Sequence, residues 1–179
     1  IVWKTGRRSI LNACVAGVSP WSRYVFFTDA LLESLTPTEV ESVFAHELCH
    51  VRSKHFFSLF VLLFGASSCF MGLYHFFEPY PALPFMFLIG WWLFFLLLPF
   101  ARISRILELQ ADLESIEMGA DPHGLINSLE KLENISGKRK RKHSWRHFSI
   151  PYRVASIRRF LESASFRLEF LKRKRKALA

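Results

Sequence analysis

A long apolar segment in the middle of the chain constrains its fold more than any other feature. Residues 55–101 contain a single formally charged side chain, Glu78. A proline-rich turn at 78–81 divides the segment into the ranges 56–77 and 82–101, each long enough to cross a hydrocarbon core of about 30 Å as a helix. A domain of 179 residues could hardly bury two helices that are apolar all round. We therefore predict a transmembrane helical hairpin rather than a buried, soluble one.

The basic residues all lie outside this hairpin. The chain has 24 Lys and Arg against 15 Asp and Glu, a net charge of +9, and none of the 24 lies within the two apolar ranges or their turn. By the positive-inside rule, the side that holds both flanking segments is cytoplasmic. Two KRKRK runs, at 138–142 and 172–176, lack the aromatic interleaving of nucleic-acid modules. We expect them to be attracted to anionic lipid, with no nucleic acid as partner.

The cysteines and the start of the chain add two further expectations. Cys14, Cys49 and Cys69 are an odd number without a CxxC pair, which argues against a disulfide framework or a cysteine zinc site and favours a reducing compartment. The chain begins with Ile1 and has no charged segment followed by an apolar one, so we expect a fragment of something longer rather than a signal peptide.

The segments on either side of the hairpin predict a mainly α fold with a small β-sheet. The sequence Thr36-Pro37-Thr38-Glu39 is a capping box with Pro at the first helical position. It predicts a helix from Pro37 to about His55 that continues into the membrane. Elsewhere the patterns predict strands over 9–18 and 24–27 around a turn at 19–22, a short helix over 29–35, and helices over 102–118, 121–133 and from 151 onward.

The pattern HExxH, His46-Glu47-Leu48-Cys49-His50, lies in the middle of the capped helix. Residues four apart share a helix face, so the two imidazoles can bind one zinc ion while Glu47 reaches the bound water from beside them. The metal lowers the pKa of that water toward about 7. Glu47 then acts as general base while hydroxide attacks a peptide carbonyl.

A catalytic zinc also needs a third protein ligand and an open fourth position. The helix after the hairpin offers Glu108, Asp112, Glu114 and Glu117. We select Glu108 because Asp112 follows one turn later on the same face, where it can orient a ligand imidazole. Without HExxH upstream, we would interpret Glu108 and Asp112 as part of an ordinary solvated helix face. An antiparallel hairpin, however, returns the chain close to where it left and so brings this helix near HExxH, which favours a ligand here. With three protein ligands we expect one Zn2+ per chain.

The remaining histidines have no partner at ligand spacing. We predict that they are structural or solvated rather than metal ligands; they are His55, His75, His123 and His143.

Several motifs occur together in a characteristic order around the hairpin. They are LNACVAG at 11–17, AHELCH at 45–50, ELQAD at 108–112, a segment from GADP to LEKL at 119–132, and HFSIPYRV at 147–154. In this order the chain resembles the membrane zinc peptidases that include the bacterial heat-shock protease HtpX and the type 1 CAAX prenyl protease, which are HExxH…ExxxD gluzincins. One departure is Phe148, which stands where the family usually has Pro.

The resemblance implies a set of roles for individual residues. It makes His46, His50 and Glu108 the zinc ligands and Glu47 the base. The strand near Asn12 and Ala13 would pair with an extended substrate, so that main-chain bonds supply affinity whatever the side chains. The resemblance also implies that His147 and Arg153 line the cleft and steady the oxyanion.

The function that follows is a zinc-dependent membrane endopeptidase, formed by a single metallopeptidase domain over 1–179. Its partners would be a polypeptide substrate and the lipid bilayer. We expect it to act on membrane or misfolded proteins at the cytoplasmic face of a bacterial inner membrane. The alternative is a catalytically silent zinc-binding sensor or scaffold of the same fold, because an intact site permits activity without proving it. The sequence leaves the oligomeric state open.

Overall fold

The computed structural model of the protein describes residues 1–6, 10–17, 20–76, 82–136 and 148–178. Over these ranges the chain forms eight α-helices and a three-stranded sheet, as the sequence predicted for a mainly α fold. The strands are β1 (Val2–Trp3), β2 (Ala13–Ala16) and β3 (Tyr24–Thr28). The helices are α1 (Asp29–Ser34), α2 (Pro37–Arg52), α3 (His55–Phe76), α4 (Ala82–Phe95), α5 (Ala101–Glu117), α6 (Pro122–Ser136), α7 (Ile150–Glu162) and α8 (Ala164–Leu178).

The sheet has the order β1-β3-β2, so among the described residues β2 is an edge strand. It runs antiparallel to β3, with Ala13 opposite Phe27, whereas β1 runs parallel to β3 and was not predicted. β2 is shorter than the predicted strand and is followed by Gly17, whose φ is +116°. A Cβ at that glycine would lie 2.0 Å from the carbonyl oxygen of Ser22, so the turn after β2 requires glycine.

Helix α2 begins as the sequence predicted. The Thr36 hydroxyl accepts a hydrogen bond from the Glu39 amide, and the Glu39 carboxylate accepts one of 2.7 Å from the Thr36 amide. The predicted continuation to His55 and straight into the next helix is wrong. α2 ends at Arg52, and Lys54 has a left-handed φ of 52° before His55 begins α3.

The core has two clusters, one among the last four helices and one where α1 and α2 meet the sheet. Its larger cluster is built by α5, α6 and α7, from Leu113, Leu125, Ile126, Leu129, Ile150, Val154, Ile157 and Phe160. α2 packs against both α5 and α6, and Gly124 of α6 approaches it so closely that a Cβ would lie 2.7 Å from Ser42 Oγ. The tail forms two helices, α7 and α8, rather than one, because the backbone of Ser163 is extended. The contacts of α2 with α5 and α6 place α2 directly beside α5.

The predicted hairpin corresponds to α3 and α4, which pack against each other; the indole of Trp91 donates to the carbonyl of Ala66 at 3.3 Å. Within α3, the stretch His55–Leu73 has a mean hydropathy of 2.0 and is only 6% buried, so it is long and apolar enough to cross a membrane. α4 passes through a π-helical turn, Leu96–Phe100, into α5. Pro99 lies in this turn and cannot donate to a regular helix. The predicted linker at 78–81 lies outside the described residues, and the crossing of a membrane stays a prediction.

Candidate metal centre

Two neighbouring helices bring three potential metal ligands together. His46 and His50 project from α2 and Glu108 from α5, and one ligand atom of each lies within 4.8 Å of the others. The two Nε2 atoms are 3.2 Å apart, and carboxylate oxygens of Glu108 lie 3.9 Å from Nε2 of His46 and 3.6 Å from Nε2 of His50. Tetrahedral zinc, with bonds of about 2.0–2.2 Å, separates its ligand atoms by roughly 3.3–3.6 Å. The observed separations fit one such ion.

Behind His46 lies a buried charge pair. Nδ1 of His46 is 3.0 Å from Oδ1 of Asp112, so its Nε2 faces the other two ligands. Arg153 of α7 donates to both oxygens of Asp112, from Nε at 2.7 Å and from Nη2 at 2.6 Å. Burial by itself raises the pKa of Asp112, but Arg153 and His46 outweigh it and hold that pKa well below its usual range. Asp112 is therefore a fixed anion that orients one imidazole.

The neighbouring Glu47 lies in a setting suited to proton transfer. Burial raises the pKa of Glu47 to about 7, although His46 and Arg153 favour the ionised form. The backbone of Val15 in β2 also favours the ionised form of this carboxylate and so lowers the pKa. A carboxylate whose pKa lies near neutrality is well matched to general base catalysis at that pH.

His50 has a different partner behind it. Its Nδ1 lies 2.9 Å from Nδ1 of His55, and the two rings meet edge-on at 79°. Burial, helped by the nearby His46, lowers the pKa of His50 to about 4, so this imidazole is neutral, as metal binding requires. The sequence did not predict this contact, because in a regular helix residues five apart lie on different faces.

The other acids of α5 form a separate cluster. Glu114 is 1% exposed and accepts hydrogen bonds from the Ser53 hydroxyl and, at 2.8 Å, from Gln110. Lys174 of α8 lies 3.3 Å from Glu114 and 3.8 Å from Glu117. These two carboxylates therefore bind the end of α2 and the last helix and are not part of the group formed by the three potential ligands.

The edge strand β2 lies against α2, the helix that carries Glu47. Thr28 of β3 donates its backbone N–H to the carbonyl of Asn12 at 3.0 Å, so Asn12 faces β3. Backbone groups alternate in direction along an antiparallel strand, so Ala13 and Val15 turn theirs to the open side. The effect of the Val15 backbone on the pKa of Glu47 agrees with this direction.

Two further residues, Arg153 and His147, were predicted to line the cleft. Arg153 is mostly buried, and two of its three nitrogens bind Asp112, while Nη1 lies 3.9 Å from Glu108. The guanidinium thus lies behind the ligands, and its predicted contact with an oxyanion stays a prediction. His147 lies outside the described residues.

Comparison with known proteins places this arrangement in a family. Residues 4–170 match the model of Peptidase family M48. A Protease HtpX homolog of Methylibium petroleiphilum is 31% identical over 138 residues, covering 70% of this chain and 47% of that protein. One from Streptococcus pneumoniae is 29% identical over 146 residues, covering 69% and 49%. The chain thus spans about half the length of the curated relatives it matches.

A solved structure agrees with the fold. The crystal structure of S. mikatae Ste24p superposes with a TM-score of 0.68, covering 87% of this chain and 44% of that one, at 20% sequence identity. The motif-based resemblance is confirmed, and the chain belongs to peptidase family M48.

Proposed function

We propose that this chain forms one metallopeptidase domain of a zinc-dependent membrane endopeptidase. The observation that carries the proposal is the group of His46, His50 and Glu108, whose ligand atoms lie within 4.8 Å of one another beside the half-buried Glu47. Imidazole and carboxylate donors in this number suit zinc and leave a position free for reaction.

Each side chain has a distinct task in this proposal. His46, His50 and Glu108 hold the ion, which when bound supplies Lewis acidity that polarises a carbonyl and acidifies a water. The Glu47 carboxylate accepts a proton from the attacking water and returns it to the leaving amine. Asp112 keeps Nε2 of His46 directed at the ion, as carboxylates do behind metal-bound histidines.

The substrate would bind as an added strand. Ala13 and Val15 of β2 turn backbone groups to the open side, next to Glu47. An extended polypeptide can pair with such an edge. Main-chain pairing sets few demands on substrate side chains. We therefore expect a broad specificity, with Asn12 holding the strand to β3 on its other side.

The hairpin supports a location at a membrane. α3 exposes large apolar side chains along its length, and all 24 basic residues lie outside the range 56–101. We propose that α3 and α4 cross the bilayer and that the site faces the cytoplasm, in a bacterial inner membrane. Membrane proteins and misfolded proteins that reach this surface would then be the substrates.

Release of peptides from a denatured protein, measured in detergent, tests the proposal. The wild-type chain should release peptides, a zinc chelator should stop the release, and added zinc should restore it. The substitution Glu47→Gln keeps the shape of the side chain and should retain zinc while activity falls by about two or more orders of magnitude, as when a general base is lost.

Two outcomes would contradict the proposal in different ways. Wild-type turnover by Glu47→Gln would mean that another group activates the water. Zinc binding by the wild type without any peptide release would instead favour the sensor or scaffold.

A further inference from the structure

The break between α2 and α3 brings a third histidine, His55, beside the candidate metal centre. In an unbroken helix of 3.6 residues per turn, His55 would point roughly 140° away from His50. Instead α2 ends at Arg52 with Ser53 as its cap, and Lys54 adopts a φ of 52°, the one positive φ of a non-glycine residue in the part of the chain that the structure describes. The left-handed residue turns the chain so that the two imidazoles meet.

This unusual backbone is held by specific contacts. The Ser53 amide donates to the carbonyl of Cys49 at 2.9 Å, and the Lys54 amide donates to that of Val51 at 3.2 Å. The Ser53 hydroxyl donates to Glu114, a buried carboxylate of α5. A lysine in the left-handed region is disfavoured unless its surroundings enforce it, and such positions cluster at functional sites.

The contact itself joins Nδ1 to Nδ1. These atoms of His50 and His55 are 2.9 Å apart, and the ring centroids are separated by 4.9 Å. His55 is 3% exposed, so water does not compete for this contact. The other nitrogen of His50, Nε2, faces His46 and Glu108.

The chemistry of imidazole assigns the direction of the hydrogen bond. A neutral histidine has one nitrogen that donates and one that accepts. A metal ion on Nε2 of His50 uses the lone pair of that atom, so the hydrogen of His50 is on Nδ1 and is donated to His55. Nδ1 of His55 is then the acceptor. His46 is backed in the same way by Asp112, 3.0 Å from its Nδ1.

We propose that His55 is a positioning residue that accepts a hydrogen bond from Nδ1 of His50 and so fixes the tautomer and ring orientation with which His50 binds the metal. The inference rests on the proposed function, because it takes His50 as a ligand. It adds that each histidine ligand has its own acceptor, a carboxylate for His46 and an imidazole for His50.

Zinc affinity, measured in detergent by competition with a chromophoric chelator, tests this role. His55→Leu removes the acceptor and should weaken zinc binding by about 10- to 100-fold, the range for losing a partner behind a ligand. His55→Asn places an amide oxygen near the former Nδ1 and should stay within about threefold of the wild type, because that oxygen accepts a hydrogen bond. His123→Leu alters an exposed histidine away from the site and should bind zinc as the wild type does.

A second pair of variants separates the acceptor from packing. In His55→Gln the amide lies one carbon further out, near the former Nε2, so this variant should bind zinc as weakly as His55→Leu although it is polar. Melting temperatures without metal show which variants fold, and the Asn and Gln pair decides the matter if His55→Leu does not fold.

The outcomes distinguish this inference from the proposed function. Equal zinc affinity in the wild type, His55→Leu and His55→Gln would overturn the positioning role while the zinc peptidase stands. Loss of affinity in His55→Asn as large as in His55→Leu would also overturn it, since the acceptor would then not matter. A wild type that binds no zinc would remove the proposed function and this inference together.

Discussion

The candidate metal centre and the hairpin differ in which side chains they bury: the centre buries charged groups, and the hairpin exposes apolar ones. Between α2 and α5, Asp112 is fully buried and Glu114 is 1% exposed, and each is bound by several partners. Along α3 and α4, large apolar side chains lie open, with Phe56 71% and Met86 73% exposed. Buried charges are stable only when paired, and wide apolar surfaces are stable only where they meet another apolar phase. This contrast is what the proposed membrane hairpin predicts.

Asp112→Ala should have the largest effect on stability in this comparison. It removes the partner of both short hydrogen bonds of the mostly buried Arg153, and breaking such a pair costs about 3–5 kcal/mol. Because Asp112 also contacts His46, zinc affinity should fall by about 10- to 100-fold as well. Denaturant unfolding in detergent and chelator competition would measure the two effects.

A surface ion pair supplies the control for Asp112→Ala. Glu130 and Arg158 are 3.5 Å apart and about half exposed, so Glu130→Ala should cost under about 1 kcal/mol. Equal losses in the two variants would mean that the pair behind the metal centre is no different from one on the surface.

Phe64→Lys tests the hairpin side of the comparison. Phe64 is 65% exposed near the middle of α3, and a lysine at the centre of a membrane helix costs about 2.5–3.5 kcal/mol of insertion free energy. We expect a smaller fraction of this variant in the membrane, measured by extraction of membranes with alkaline carbonate. Trp21→Lys, at a side chain that is 92% exposed outside the hairpin, should insert normally. A folded Phe64→Lys protein that is soluble without detergent would refute the membrane hairpin.

The smallest effect is expected at the junction of the two regions. Lys54→Gly removes the penalty of the left-handed backbone and should stabilise the protein by about 0.5–1 kcal/mol. Arg52→Gly, two residues earlier in the last turn of α2, should destabilise it by a similar amount. Unfolding measurements should give opposite signs, and a loss in both variants would mean that Lys54 is not strained.

Structural features that depend on residues close together in the chain are predicted by the sequence better than those that depend on distant residues. The capping box of α2 is a local pattern within four residues, and it predicts the start of the helix correctly. The spacing of His46 and His50 is likewise local, and the structure places both on one face. The apolar ranges predict two helices because their composition is extreme.

Sequence patterns did not predict the contacts between residues far apart in the chain. At the break after α2, Ser53 binds Glu114, 61 residues away, and the break lets His55 contact His50. The pair between Asp112 and Arg153 joins α5 to α7 and has no local pattern, so Arg153 was predicted to line the cleft. β1 is only two residues long, too short to show any periodicity.

Zinc content after extensive dialysis tests the central claim most directly, namely that His46, His50 and Glu108 bind one metal ion. We predict one zinc per chain in the wild type and in Glu117→Ala, whose carboxylate lies near Lys174. In Glu108→Ala only two histidine ligands remain, so zinc should be lost on dialysis and partly regained with excess zinc. Full occupancy in Glu108→Ala, or in a variant with both histidines changed to alanine, would contradict the account.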